Sequence, residues 1–141
     1  MQALEFMRQR RSRCAVLLSA WRRRQDVGFS YANLASADFT GVDLRGIDLH
    51  ASNFLDAVLR GADLATADLR RCNLRRSDLR GCILRGADLR AANLREAKLG
   101  GADLTGADLR RAWLRGASAD ASTRWPARFD PETHGVVIDD V

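Results

Sequence analysis

The chain has 141 residues, 46% of them apolar, with 23 Lys and Arg against 18 Asp and Glu, a formal charge of +5. That suffices for one domain with a real core and flanking segments, and a second domain is not expected. Cys14, Cys72 and Cys82 are odd in number and lack C-x-x-C spacing, which argues against a disulfide framework and a zinc site.

The basic excess sits at the start. Residues 1–26 hold seven arginines against Glu5 and Asp26, residues 27–116 hold fourteen bases and eleven acids, and residues 117–141 hold two bases and five acids. In the first segment Leu4, Met7, Cys14, Leu17, Leu18 and Trp21 form a helical stripe, with Arg8, Arg11 and Arg22 mostly off it. This predicts one basic amphipathic helix ending before Gly28. The apolar run from Cys14 to Trp21 leads into Arg22-Arg23-Arg24 with no small-residue cleavage site, and it is too short to span a membrane. A cytoplasmic protein without a transmembrane segment is expected. The helix is read as a cap over the open end of a strand stack, in preference to a membrane-surface helix.

From Leu34 to Leu114 a large apolar residue returns every five positions, at 34, 39, 44 and onward in seventeen copies. A helix would scatter residues five apart around its axis. A flat strand would send them to alternate faces. The spacing works if both the Leu and the small residue two before it point inward, with a corner after each Leu. Gly occupies the second position after the Leu in eight of the seventeen copies, where a turn needs conformational freedom. The residue before the Leu is Asn at 33, 53, 73 and 93, twenty apart, so four sides complete one coil, and equivalent side chains stack about 4.8 Å apart.

The A-(D/N)-L-x-x tandem, as in Ala62-Asp63-Leu64 and Ala92-Asn93-Leu94, resembles the pentapeptide-repeat proteins. The resemblance implies an all-β solenoid, a right-handed quadrilateral β-helix of about four and a half coils over residues 27–116. Residues 1–26 would be its amphipathic capping helix and residues 117–141 an irregular C-terminal cap and tail. Leu64, Leu69, Leu74, Leu79, Leu84, Leu89 and Leu94 are expected in the core, with Cys72 and Cys82 as buried structural thiols at small inward positions.

Outward, Asp48, Asp68, Asp88 and Asp108 stand beside His50, Arg70, Arg90 and Arg110 as a charge-paired face. On the next face the Asn column stands beside Arg75, Arg95 and Arg115, which are expected to lack an equivalent acidic column. Leu55, Val58, Ile83 and Trp113 break the outward polar rule. Leu55 and Val58 are expected to form a small patch, and Trp113 to be covered by the tail. Arg75, Arg95, Arg115, Asn73, Asn93 and Trp113 are the candidate interaction surface.

Pro126 and Pro131 argue against helix or central strand after the repeat. Trp125 and Phe129 are expected to fold back over the last coil, with Val136 to Val141 disordered. The run from Thr123 to Gly135 resembles a tail found on bacterial, especially cyanobacterial, members of the family.

No catalytic, cofactor-binding or metal constellation emerges from the sequence. The reading is a non-enzymatic structural or protein-interaction module with a protein partner and no cofactor. The first alternative is binding of nucleic acid or another anionic surface through the N-terminal arginines and the Arg75/Arg95/Arg115 stripe. The second, DNA mimicry toward DNA gyrase as in some acidic family members, is disfavoured by the positive charge.

Overall fold

The structure, a computed structural model, describes residues 29–139. The N-terminal helix expected over residues 1–26 lies outside the described residues.

The coil grows from one local rule. The residue after each Leu begins a two-residue turn, and the second turn residue has positive φ at every corner from Tyr31 to Gly116, between 55° and 76°. The next N–H then donates to the Leu carbonyl, as Cys72 N does to Leu69 O at 3.1 Å. A four-residue turn with φ > 0 at its third residue has the signature of a type II turn, which explains the glycines there. Ten non-Gly residues also adopt this conformation, among them Ala51, Arg71, Ala91 and Arg111. The corners from Tyr31 to Glu96 are tied to the next coil, since the N–H of the positive-φ residue donates to a carbonyl nineteen residues on, Arg71 N to Arg90 O at 3.0 Å for example, whereas Gly101 N donates to Asp120 Oδ1 at 3.2 Å.

Between corners there is room for little more than one bridged residue per side. These residues pair in parallel at intervals of twenty: Asn33, Asn53, Asn73, Asn93 and Trp113 form one ladder, and Asp48, Asp68, Asp88 and Asp108 another. Asp38, Val58, Asp78, Lys98 and Ser118 form a third, and Asp43, Asp63, Ile83 and Asp103 a fourth. The chain therefore winds with four bridged sides per turn, as the Asn spacing predicts.

The Asp or Asn before the Leu has a structural task. Its Oδ1 accepts the backbone N–H two residues on, as Asp68 does from Arg70 N at 3.1 Å and Asn73 from Arg75 N at 3.2 Å. This Asx contact satisfies a corner donor that the ladder leaves over. Where Val58, Ile83 or Trp113 stands instead, the corresponding N–H has no side-chain acceptor among the described residues.

Leu64, Leu69, Leu74, Leu79, Leu84, Leu89 and Leu94 are fully buried, lined by alanines at the small inward positions. Phe39 and Phe54 meet edge-on at 5.8 Å in the early coils. The few polar groups inside are satisfied: Cys72 Sγ donates to Leu49 O, Cys82 Sγ to Leu59 O and Ser77 Oγ to Leu74 O. Burial pushes both thiols up to about 12, so neither is a nucleophile at neutral pH.

The C-terminal expectation needs correction. Regular structure does not end at the prolines. Strand β1 (Ser118–Asp120) continues the third ladder, and the next bridge, Asp103 to Arg124, spans twenty-one residues rather than twenty. The extra residue is absorbed by a turn in which Thr123 N donates to Asp120 O, which brings Thr123 into the small inward position. Trp125 and Phe129 then pack against the core, stacked at 5.2 Å, and His134 stacks on Phe129 at 4.4 Å. A single 3-10 turn over Glu132–His134 ends at Gly135. From there the chain returns as strand β2 (Val137–Asp139), parallel to β1, with Val136 buried. The segment expected to be disordered thus extends a ladder through Asp139. The cause is the apolar end of the coil, which Val136 and Ile138 help to cover.

Candidate interaction surface

The Asn ladder explains its own residue type. Asn73 Nδ2 donates to Asn53 Oδ1 at 3.1 Å, and Asn53 Nδ2 to Asn33 Oδ1 at 3.5 Å, while the same oxygens accept the corner N–H groups. An amide can accept the backbone N–H two residues on and also donate to the coil before it, which an ionised aspartate at the same position cannot do. Asn93 continues the column, which Trp113 ends with 55% exposure and the Arg95 guanidinium 4.3 Å from its ring centroid. Trp113 is therefore not covered by the tail: the tail crosses the coil end, whereas Trp113 points sideways off a ladder.

The expectation that the Asn-flanked arginines lack acidic partners fails for Arg75. Its Nη2 lies 2.8 Å from Glu96 Oε1, and beside it Arg76 pairs with Asp56 at 2.8 Å. The acids come from the corner column Ser36, Asp56, Arg76 and Glu96, whose positions read in the sequence only as turn residues. Arg115 has no ion pair among the described residues, and Gly135 lies against its backbone, where an added Cβ would come within 3.3 Å of Arg115 Cα. The structure thus brings Asn73, Asn93, Trp113 and Arg95 into one array, engages Arg75 elsewhere, and sets Arg115 at the tail.

The neighbouring face is a lattice of paired charge. Arg70 places Nε 2.9 Å from Asp68 Oδ1 and Nη2 2.6 Å from Oδ2, and Arg90 and Arg110 repeat the fork on Asp88 and Asp108. Weaker contacts of 3.8 Å run from Arg70 to Asp88 and from Arg90 to Asp108, one coil on. The Arg70 and Arg90 forks hold the Asp68 and Asp88 carboxyls below the usual carboxylate range, and the Arg110 fork lowers Asp108 to about 2. Asp103 also falls to about 2, led by the Thr105 hydroxyl and then by Arg85.

Leu55 and Val58 are partly buried and Ile83 is 39% exposed. Tyr31 is 77% exposed and meets His50 edge-on at 5.6 Å. Among the described residues no group of His, Cys, Asp or Glu could hold a metal ion, and no helix is long and apolar enough to cross a membrane.

The family model described as pentapeptide repeats (8 copies) matches three stretches, residues 29–65, 43–81 and 82–118. Among solved structures, alr5209, a pentapeptide repeat protein from Nostoc PCC 7120, is 33% identical over 89% of this chain and 95% of its own, with a TM-score of 0.38. Rfr23 from the cyanobacterium Cyanothece 51142 is 32% identical, covering 66% of this chain and 63% of its own, with a TM-score of 0.34. HetL from Nostoc PCC 7120, a protein involved in heterocyst differentiation regulation, is 36% identical, covering 64% of this chain and 47% of its own, with a TM-score of 0.35. The chain thus spans less than two thirds of the latter two proteins. No curated protein matches the sequence.

Proposed function

We propose that this chain, which belongs to the pentapeptide-repeat family, is a non-enzymatic rod that presents one face to a protein partner in the cytoplasm. The face is the array of Asn73, Asn93, Arg95 and Trp113, with Arg75 and Arg115 at its margin, and the rod is a right-handed quadrilateral β-helix of about four and a half coils over residues 27–116. Residues 1–26 and 117–141 serve as its two caps, and no cofactor takes part. The observation that carries the reading is the exposed Trp113 ring under the Arg95 guanidinium, beside a column of amides. Trp and Arg are the residue types that most often dominate protein–protein binding energy, and a backbone held by ladder and turn hydrogen bonds presents them with little ordering cost.

The test compares the wild-type rod with an Arg95→Ala/Trp113→Ala variant as immobilised bait for host extract, followed by direct titration of the captured protein in purified form. A partner bound by the wild type and weakened at least tenfold, about 1.4 kcal/mol, by the variant supports the face. Equal affinity for both baits would place binding elsewhere.

A further inference from the structure

A second surface emerges at the corner between the charge-paired face and the Asn ladder. His50, Arg70, Arg71, Arg90, Arg110 and Arg111 line an open groove of about 660 Å³, with Ala91 forming part of its floor. Its walls present guanidinium groups rather than carboxylates. The Asp68, Asp88 and Asp108 side chains are 27%, 29% and 31% exposed, whereas Arg70, Arg90 and Arg110, which overlie them, are 42%, 43% and 74% exposed. Each fork uses Nε and Nη2 of its arginine, leaving the other guanidinium N–H groups available to a ligand. Arg71 and Arg111 have no ion pair among the described residues. They project from positive-φ corners at 57° and 61°, two coils or about 10 Å apart along the rod. The same corner column runs Tyr31, Ala51, Arg71, Ala91, Arg111, so small residues alternate with arginines and an exposed aromatic ring stands at one end.

We propose that this groove binds the sugar–phosphate backbone of single-stranded nucleic acid without sequence preference, Arg71 and Arg111 contacting phosphates and Tyr31 stacking a base. Arginines repeating along one axis suit a linear chain of phosphates, whose oxygens match the guanidinium fork. A basic groove that tracks the backbone, joined to an aromatic ring that tolerates any base, is how non-specific single-strand binding works. The face differs from the Asn73/Arg95/Trp113 array and does not depend on it.

The probe is a fluorescent oligothymidylate, followed by anisotropy across a salt series with the full chain. Arg71→Ala/Arg111→Ala is a clean variant because Ala51 and Ala91 already occupy equivalent corners with φ of 55° and 57°. Equal melting temperatures confirm that it folds. The wild type is expected to bind at low salt and to lose affinity steeply as salt rises. The double variant is expected to bind about tenfold more weakly, with a log–log salt slope shallower by about 1.4, two contacts at roughly 0.7 each. Tyr31→Ala is expected to weaken binding about fivefold, whereas Arg75→Ala/Arg95→Ala leaves it unchanged. No wild-type complex at low salt, an unchanged slope in the Arg71/Arg111 variant, or an equal loss in the Arg75/Arg95 variant would overturn the proposal.

Discussion

At the residue scale, the acid or amide before most of the leucines reads in the sequence as an outward charge partner or a mark of the twenty-residue period, and the structure gives it a further task as acceptor for the corner N–H. Aspartate adds a fork for the Arg two residues on, as Asp88 does for Arg90, while asparagine adds a donor for the coil before it, as Asn73 does for Asn53. Ile83 lacks both capacities and is 39% exposed, so its apolar contact is only partial. Ile83→Asn would supply an acceptor for Arg85 N between the carboxylates of Asp63 and Asp103, which bridge to this position on either side. It should be more stable than Ile83→Ala by about 1 kcal/mol in thermal denaturation. Equal melting of the two variants would show that the Asx contact contributes nothing. The sequence shows the Asn period without its cause, because the amide-to-amide bond exists only once coils twenty residues apart are stacked.

At the scale of the element, the corner is the repeating decision. Its location after the Leu was legible in the glycines, but ten of the corners carry other residues in the same positive-φ conformation. Bonds to the next coil offset a local preference of about 1–2 kcal/mol against it at such residues. Gly61 isolates that preference, since a Cβ there would meet nothing within 4 Å. Gly61→Ala should cost about 1 kcal/mol, and Gly135→Ala more, because its Cβ would also crowd the Arg115 backbone at 3.3 Å. Chemical denaturation of the pair checks the order, and a larger loss at Gly61 would reverse the account of the tail. The tail itself was the least legible element. The five-residue pattern stops after Leu114, and although the β-branched run Val136-Val137-Ile138 suits a strand, nothing in the sequence shows that β1 offers it an edge.

At the scale of the whole molecule, the coil turns sequence periodicity into surface. Residues twenty apart form columns, and a column's chemistry depends on the columns beside it. Arg75 looked uncompensated when read against its own Asn column, yet the adjacent corner column supplies Glu96. Arg71 and Arg111 lie forty residues apart in the sequence, yet two-coil spacing aligns them along a groove with Arg70, Arg90 and Arg110. Both proposed surfaces, the Trp113 array and the arginine groove, exist only if the twenty-residue stacking is right. The most direct test places pyrene labels on paired cysteines in a Cys14→Ser background, where Cys72 and Cys82 stay unlabelled because they are buried and their thiols are pushed up to about 12. Arg70→Cys with Arg90→Cys, one coil apart at about 5 Å, should give strong excimer fluorescence, and Arg70→Cys with Arg80→Cys, on opposite sides, should give monomer emission alone. Excimer from the second pair, or none from the first, would contradict the four-sided coil.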